Sequence, residues 1–487
     1  MKFLRESTGF VKEFNTFDAF ALNFSFLGPA AGVAYPLFIA AFLPEASWTL
    51  AVIIGSLLMV PVVINYYLLT VLIPRSGGDY IFVSRAMGPF TGSVLGMSLI
   101  MAFTMGFPVL ALLEVVMVIT PGLQSLGYVL DVKGLISLGE GITSSPSELF
   151  AVTTLVIFAV FSLSLSERLY VRAFRYLTLL QIAGTVFMVV GLFTVNDQPV
   201  FTSPYVNLQT LSLSSIFVLS MFAFTNAPAF FAGEIKRIKK SFISGYLISY
   251  AVATLFALLL VIGIERGFGK QNYINYVLNG WSLPMSTSSI LSFAVYAFLN
   301  DPYIVVFLVI SALSWYVLYA MINVGASSRI LFSMAFDRLL PSFFAEVRRG
   351  IPIYSLIFTL TLSMLFNFLE VYLSYSVSFA VDGLWFVIWN YLIVAIASIK
   401  YGKSDRKILI TSLLSVFTLS LVVVLTVLYG LLNSSFGSVI FQGNTAFDLA
   451  TIIVPPMTGT VTYLISKEIR KKQGIELSEI YKEIPPE

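Results

Sequence analysis

Apolar residues in this chain fall in long unbroken runs, not in alternation with polar ones. Twelve such runs can be marked, near residues 17–43, 48–73, 89–120, 148–166, 174–195, 211–234, 242–265, 302–328, 352–370, 375–399, 408–432 and 446–466. A helix crosses a bilayer with roughly 20 apolar residues, whereas barrel strands are short and alternating. The pattern therefore predicts an all-α integral membrane protein with 12 transmembrane helices. Connections are mostly short. The long ones are 121–147 and 266–301, and the second contains the apolar stretch Ser288 to Phe298. That stretch is too short to span and is expected on or between helices.

Charge tests the count. With both termini on the same side, alternate connections hold Lys2, Arg5 and Lys12, then Arg75 and Arg85, then Arg168, Arg172 and Arg175, and so on to the tail at Lys467–Lys482. Only Lys133, Arg266 and Lys270 of the 28 Lys and Arg fall on the other side. Basic residues favour the cytoplasmic face, and one miscounted span would destroy the bias. Both termini are therefore expected in the cytoplasm of a multi-pass cell-membrane protein. Residues 1–16 read as a polar cytoplasmic lead, because the run after them is longer than a signal peptide's core. The tail from 467 to 487 is expected to be solvated.

Composition narrows the chemistry. The chain is 58% hydrophobic and 11% charged, against about a quarter charged in a soluble domain. It has no Cys and no His, which removes disulfides, thiolate chemistry, imidazole ligands and His-based triads. No clustered Asp/Glu motif offers a metal site, no cofactor is expected, and a net charge of +3 indicates no nucleic-acid partner. A Walker-type loop is absent, so ATP is not the direct driver.

Two runs are interrupted at mid-membrane. The first contains Gly28-Pro29-Ala30-Ala31-Gly32, and the sixth contains Thr225-Asn226-Ala227-Pro228. Proline removes a backbone donor and glycine lowers the cost of leaving the helix. Unwound backbone at this depth is tolerated only where it lines a cavity or is buried in protein. One such break reads as a kink or a small-residue packing site. Two breaks opening successive sets of five spans are the mark of an inverted-repeat transporter's binding site. A half-helix beginning near Gly32 aims amides at the gap and suits a carboxylate. Half-helices ending near Leu27 and Phe224 aim carbonyls at it and suit an ammonium group. Together they fit an amino acid zwitterion.

Here the chain resembles a family. Gly28 to Pro36, Pro74 to Tyr80 (PRSGGDY), Phe222-Ala223-Phe224-Thr225 followed by Glu234, and Ser328 to Pro341 (SRILFSMAFDRLLP) look like the amino acid–polyamine–organocation permeases, in that family's order. The resemblance implies a five-plus-five inverted repeat of LeuT-like type, with helices 1 and 6 broken and two helices added. Its parts would be 17–195, 211–399 and 408–466. It also implies that backbone around Ala30, Ala31 and Gly32 holds a substrate carboxylate, and that carbonyls of Phe26, Leu27, Phe222 and Ala223 receive its amino group, with Gly28, Phe224 and Asn226 also in the site. Two departures stand out: a Gly-Ser-Gly-like turn reads Ala30-Ala31-Gly32, and a Lys-Asn-Pro reads Lys236-Arg237-Ile238. Proton-coupled members carry a lysine in the fifth span, where Gln181 stands here. Coupling to protons through another group, coupling to sodium and plain exchange all stay open.

Four polar residues are further coupling or gating candidates. Glu114 lies in the outer part of the third span, where it either binds a cation or proton or reaches outer water. A buried charge is costly and functional by default. Asp382 precedes an aromatic stripe at Trp385, Phe386 and Trp389, which reads first as packing. Asn323 is either near the substrate or interhelical glue. Glu234 is either a gate partner or a helix-end ion pair. Arg75 and Asp79 lie in an inner loop that forms a short moving helix in the family. The sequon at Asn433 matters only where proteins are glycosylated.

The reading is a secondary transporter of neutral or broad-range amino acids, with lipid as its surroundings and its oligomeric state open. Rival readings are a polyamine or cationic amino acid carrier or exchanger, and a sensor that has lost transport. A membrane protease lacks its His, or its second Asp.

Overall fold

Each apolar run becomes a helix in the computed structural model, which describes residues 7–196, 205–287, 289–373, 376–433 and 445–485. Among the described residues, eleven helices are long and apolar enough to cross a membrane, from Thr16–Ala40 and Trp48–Leu72 through to Arg406–Leu432. They follow the first eleven expected segments in order. The twelfth falls within helix Thr445–Lys472, which contains Pro455 and Pro456. Helices satisfy their own backbone, which lipid requires. Large apolar side chains such as Leu155, Leu255 and Leu431 point outward, as acyl surroundings allow.

The first span begins with a capping box: the Asn15 side chain accepts from the Phe17 and Asp18 amides, and Asp18 answers the Asn15 amide. Asp18 is also clamped by Arg175 of the fifth span through bonds of 2.9 and 2.8 Å. The helix stops at Leu27. Gly28 adopts a left-handed conformation (φ 46°, ψ 68°), and Pro29 starts a new helix, Pro29–Ala40. Glycine takes this conformation without the penalty a Cβ would incur, and proline suits a first helical position. In the sixth span, helix Leu208–Phe217 widens into a π-turn at Val218–Phe222, unwinds, and resumes as the short turn Ala227–Phe230.

Several expectations need correction. The second half of the first span begins at Pro29, not near Gly32. The third span does not end near 120: a π-turn at Val115–Ile119 carries it on to Val129. The long connections are partly helical, with Lys133–Ser144, Lys270–Asn279 and Ile290–Tyr296. The last of these is buried between helices, in keeping with its length. The eighth span is also interrupted, between helices Pro302–Ala312 and Trp315–Phe336. No proline or glycine marks that break, so the sequence pattern passed over it.

The tail is not simply solvated. Leu477, Ile480 and Tyr481 are buried. The Tyr481 hydroxyl lies 2.9 Å from that of Tyr80, and the Arg85 guanidinium sits 4.9 Å from the centroid of the Tyr481 ring. Arg75 Nε donates to the Pro485 carbonyl at 2.7 Å. Apolar residues every third or fourth position in an otherwise charged segment give it a face to bury.

Candidate functional site

The two breaks face each other. The rings of Phe26 and Phe224 meet edge to face with centroids 5.1 Å apart, and Tyr319 of the eighth span closes the group at 5.7 Å from each. One turn toward the basic end, Asn23 donates to Thr225 at 3.2 Å and to Ser249 at 3.0 Å. Edge-to-face rings and buried side-chain bonds of this kind define one arrangement of the facing helices.

Backbone groups at the breaks are unevenly free. A helix leaves its first four amides without intrahelical partners. In Pro29–Ala40, Pro29 has no N–H and the Gly32 amide is taken by the Gly28 carbonyl. That leaves Ala30 and Ala31 as the open donors. The Leu27 carbonyl already accepts from the Tyr319 hydroxyl at 2.8 Å, with its second lone pair remaining. In the sixth span the Ala223 amide bonds back to Val218 at 2.7 Å, a π-type step, and the Phe224 amide bonds to the Met221 carbonyl at 3.0 Å. The Thr225 amide donates to the Tyr391 hydroxyl at 3.2 Å.

Gly28 is fixed twice over. A Cβ there would lie 2.2 Å from Tyr319 Cε2, in a backbone conformation that L side chains avoid. We predict that Gly28→Ala loses about 2 kcal/mol or more from strain and ring displacement together, read as a lower melting temperature in detergent. An unchanged melting temperature would show that the break does not hold this geometry.

Asn226 reaches from the sixth break to the basic end. Its Nδ2 donates to Asp79 Oδ2 at 2.7 Å, and Asn390 Nδ2 of the tenth span donates to the same oxygen. Asp79 opens the short helix Asp79–Met87, outside the spans, and is wholly buried. Burial raises its carboxyl from the usual 3.8 to about 6, against the lowering effect of the Asn390 and Asn226 amides and the nearby Tyr66 hydroxyl.

The other candidates separate. Glu114 does not reach water: it is 1% exposed and accepts from the Tyr316 amide at 3.2 Å. Its carboxyl therefore sits at the start of helix Trp315–Phe336, where the positive dipole end favours an acid. Asn323 lies one turn beyond Tyr319 and faces Gly106 of the third span, where an added Cβ would meet its Nδ2 at 2.9 Å. Glu234 forms a buried pair with Arg329 at 2.7 and 3.1 Å and accepts from Ser76 at 3.1 Å. Its partner comes from the eighth span, not from the basic cluster beside it in sequence. Gln181 accepts from Ser25 at 3.1 Å, one turn before the first break. The Asp382 side chain lies outside the described residues, as do Ser434 and Ser435 of the sequon.

Sequence reasoning missed Tyr319, Asn390, Tyr391 and Glu370. Tyr319 was within reach, since it shares a helical face with Asn323 four residues on. Glu370 of the ninth span is buried with no hydrogen-bond partner for either oxygen.

A sequence model of the amino acid permease family matches residues 14–458. The chain is also similar to an uncharacterized protein 399 of Sulfolobus islandicus rod-shaped virus 1, at 27% identity over 467 residues, covering 96% of this chain and 98% of that protein. The family match takes in both breaks, the short inner helix and the Glu234–Arg329 pair, so the chain with this paired-break core belongs to the amino acid permease family.

Proposed function

We propose that the protein is a secondary transporter that holds a neutral amino acid between the facing breaks of its first and sixth spans. The observation that carries this reading is the meeting of the two breaks across Phe26, Phe224 and Tyr319. The substrate carboxylate lies at the Ala30 and Ala31 amides, where the helix dipole favours an anion. The ammonium lies at the carbonyls of Phe26, Leu27, Phe222 and Ala223. Aromatic walls receive an apolar side chain. The nearby acids are engaged, Glu114 by a backbone amide and Asp79 by two side-chain amides, which favours neutral over cationic substrates.

Alternating access then follows from the breaks. Two five-span repeats, 17–195 and 211–399, rock about them, with the basic end in the cytoplasm by the positive-inside rule. The Glu234–Arg329 and Arg85–Asp337 pairs close that end.

A thermal-shift panel tests the reading. The purified protein in detergent is screened against the twenty amino acids and common polyamines, with and without sodium and at two pH values. A ligand at 100 times its Kd stabilises by about 2.7 kcal/mol. A selective rise with apolar amino acids is expected. A rise with polyamines alone would move the assignment to an amine carrier, and silence across the panel would favour a sensor.

A further inference from the structure

Several buried acids are paired with arginine, and Asp79, like Glu114 and Glu370, is not. Glu234 and Asp337 each face an arginine at 2.7 Å or closer, and Asp18 is held by Arg175. Asp79 has no cation. Around it stand the Asn226 amide from the sixth break, Asn390 and Tyr391 from the tenth span, Tyr66 from the second span, and Tyr246 from the seventh, whose hydroxyl lies 2.8 Å from that of Thr70. The charged groups nearest in the chain are committed elsewhere. Arg85 is on Asp337, Arg75 is on the Pro485 carbonyl, and Glu234 is on Arg329.

Two acceptors in this cluster, Asp79 Oδ1 and Asn390 Oδ1, are buried and have no hydrogen-bond partner. A carboxylate here is an uncompensated charge beside an orphaned acceptor, and both features are costly. A proton on the carboxyl removes the charge, and the Tyr66 hydroxyl, buried beside it and also without a partner, is a second donor at hand. A cavity lies close to Asp79 in the chain without reaching its side chain. Ser76, three residues before Asp79, lines a cavity of 460 Å³ at the basic end, together with Arg75, Ser333 and Asp337.

We propose that Asp79 is the proton-binding site of the transport cycle. Below about pH 6 it holds a proton while Asn226 and Asn390 bind it as here. When the sixth break reshapes and draws Asn226 away, the carboxyl meets water and releases its proton to that side. The coupling part of this rests on the transport reading, and the protonation part does not. Asp79 touches a residue of the break directly.

Burial already raises this carboxyl to about 6. A folded-state value above the unfolded one means that the folded form holds the proton more tightly. The stabilisation is therefore fully present below 3.8 and is lost as pH rises through about 6.

The test has two independent arms. Infrared titration of the protein in lipid should show a buried protonated carboxyl whose band fades with a midpoint near 6 in wild type and is missing in Asp79→Asn. Asn390→Ala should move the midpoint upward, because a donor to the charged form is gone. An identical titration in Asp79→Asn, or an unmoved midpoint in Asn390→Ala, overturns the assignment. In the second arm, proteoliposomes take up a mixture of the twenty radiolabelled amino acids. With one proton per substrate, a gradient of one pH unit sustains about tenfold accumulation. Asp79→Asn should exchange substrate yet accumulate none. Accumulation equal to wild type by that variant, or accumulation driven by sodium and not by pH, overturns the coupling. Absence of uptake by wild type counts against the transport reading alone, and the infrared arm still decides the protonation.

Discussion

Gly32→Leu abolishes uptake while leaving the protein folded and inserted. A Cβ at this position would lie 2.6 Å from the Leu27 carbonyl oxygen and 2.8 Å from Met221 Cγ. The first obstacle is backbone and cannot swing aside. The second belongs to the π-turn of the sixth span, so the added side chain drives the two breaks apart. Overpacking of this kind costs about 1–3 kcal/mol, small enough for the helices to remain assembled. Gly32→Ala should show the effect in weaker form. Uptake of the amino acid selected by the thermal-shift panel, with gel filtration as the control for folding, provides the check. Wild-type uptake by Gly32→Leu would remove the substrate from the breaks.

This position shows what the sequence carries and what it hides. The Gly-Pro and Asn-Ala-Pro interruptions were legible because proline and glycine act locally, whatever the tertiary context. Their placement in the first and sixth spans matches the two breaks of the structure. The free amides were harder to read. Gly32 was expected to open the second half-helix, yet its amide is spent on the Gly28 carbonyl, and the open donors are Ala30 and Ala31. Which amide is spent depends on the φ and ψ of one glycine, and residue type leaves that undecided.

What the sequence hid has one cause. The eighth span breaks at Leu313–Ser314 without proline or glycine, and Glu114 from the third span meets the new helix start. Both facts concern residues some 200 positions apart. Glu114 was legible as a costly charge in an apolar run, Glu234 as a gate or helix-end residue, and Asp79 as part of an inner loop. Their partners Tyr316, Arg329 and Asn390 are set by packing alone. The tail was misjudged for the same reason, since a few apolar residues among charges reveal a face but not what covers it.

Arg329→Ala is expected to cost a large amount of stability at the basic end. The pair it forms with Glu234 has side chains 4% and 0% exposed. Arg329 also sits over the ring of Phe231 at 4.7 Å, and Ser76 donates to the same carboxylate. Removing one partner leaves a buried carboxylate without its cation, which costs about 3–5 kcal/mol. The pair joins the segment after the sixth break to the eighth span. The Phe14 amide, donating to the Glu234 carbonyl at 3.2 Å, ties the start of the first span to the same point. Loss of the arginine therefore loosens three elements at once and tilts the protein toward the state open at this end. The chain contains no cysteine, so a single Ser333→Cys reports on the cavity by its rate of alkylation. In Arg329→Ala the melting temperature should fall and the labelling rate should rise. The double change Arg329→Leu with Glu234→Leu should recover much of the stability, because no charge is left unpaired, while labelling stays fast. Slow labelling in both variants would mean that the pair holds the fold but does not guard the way in.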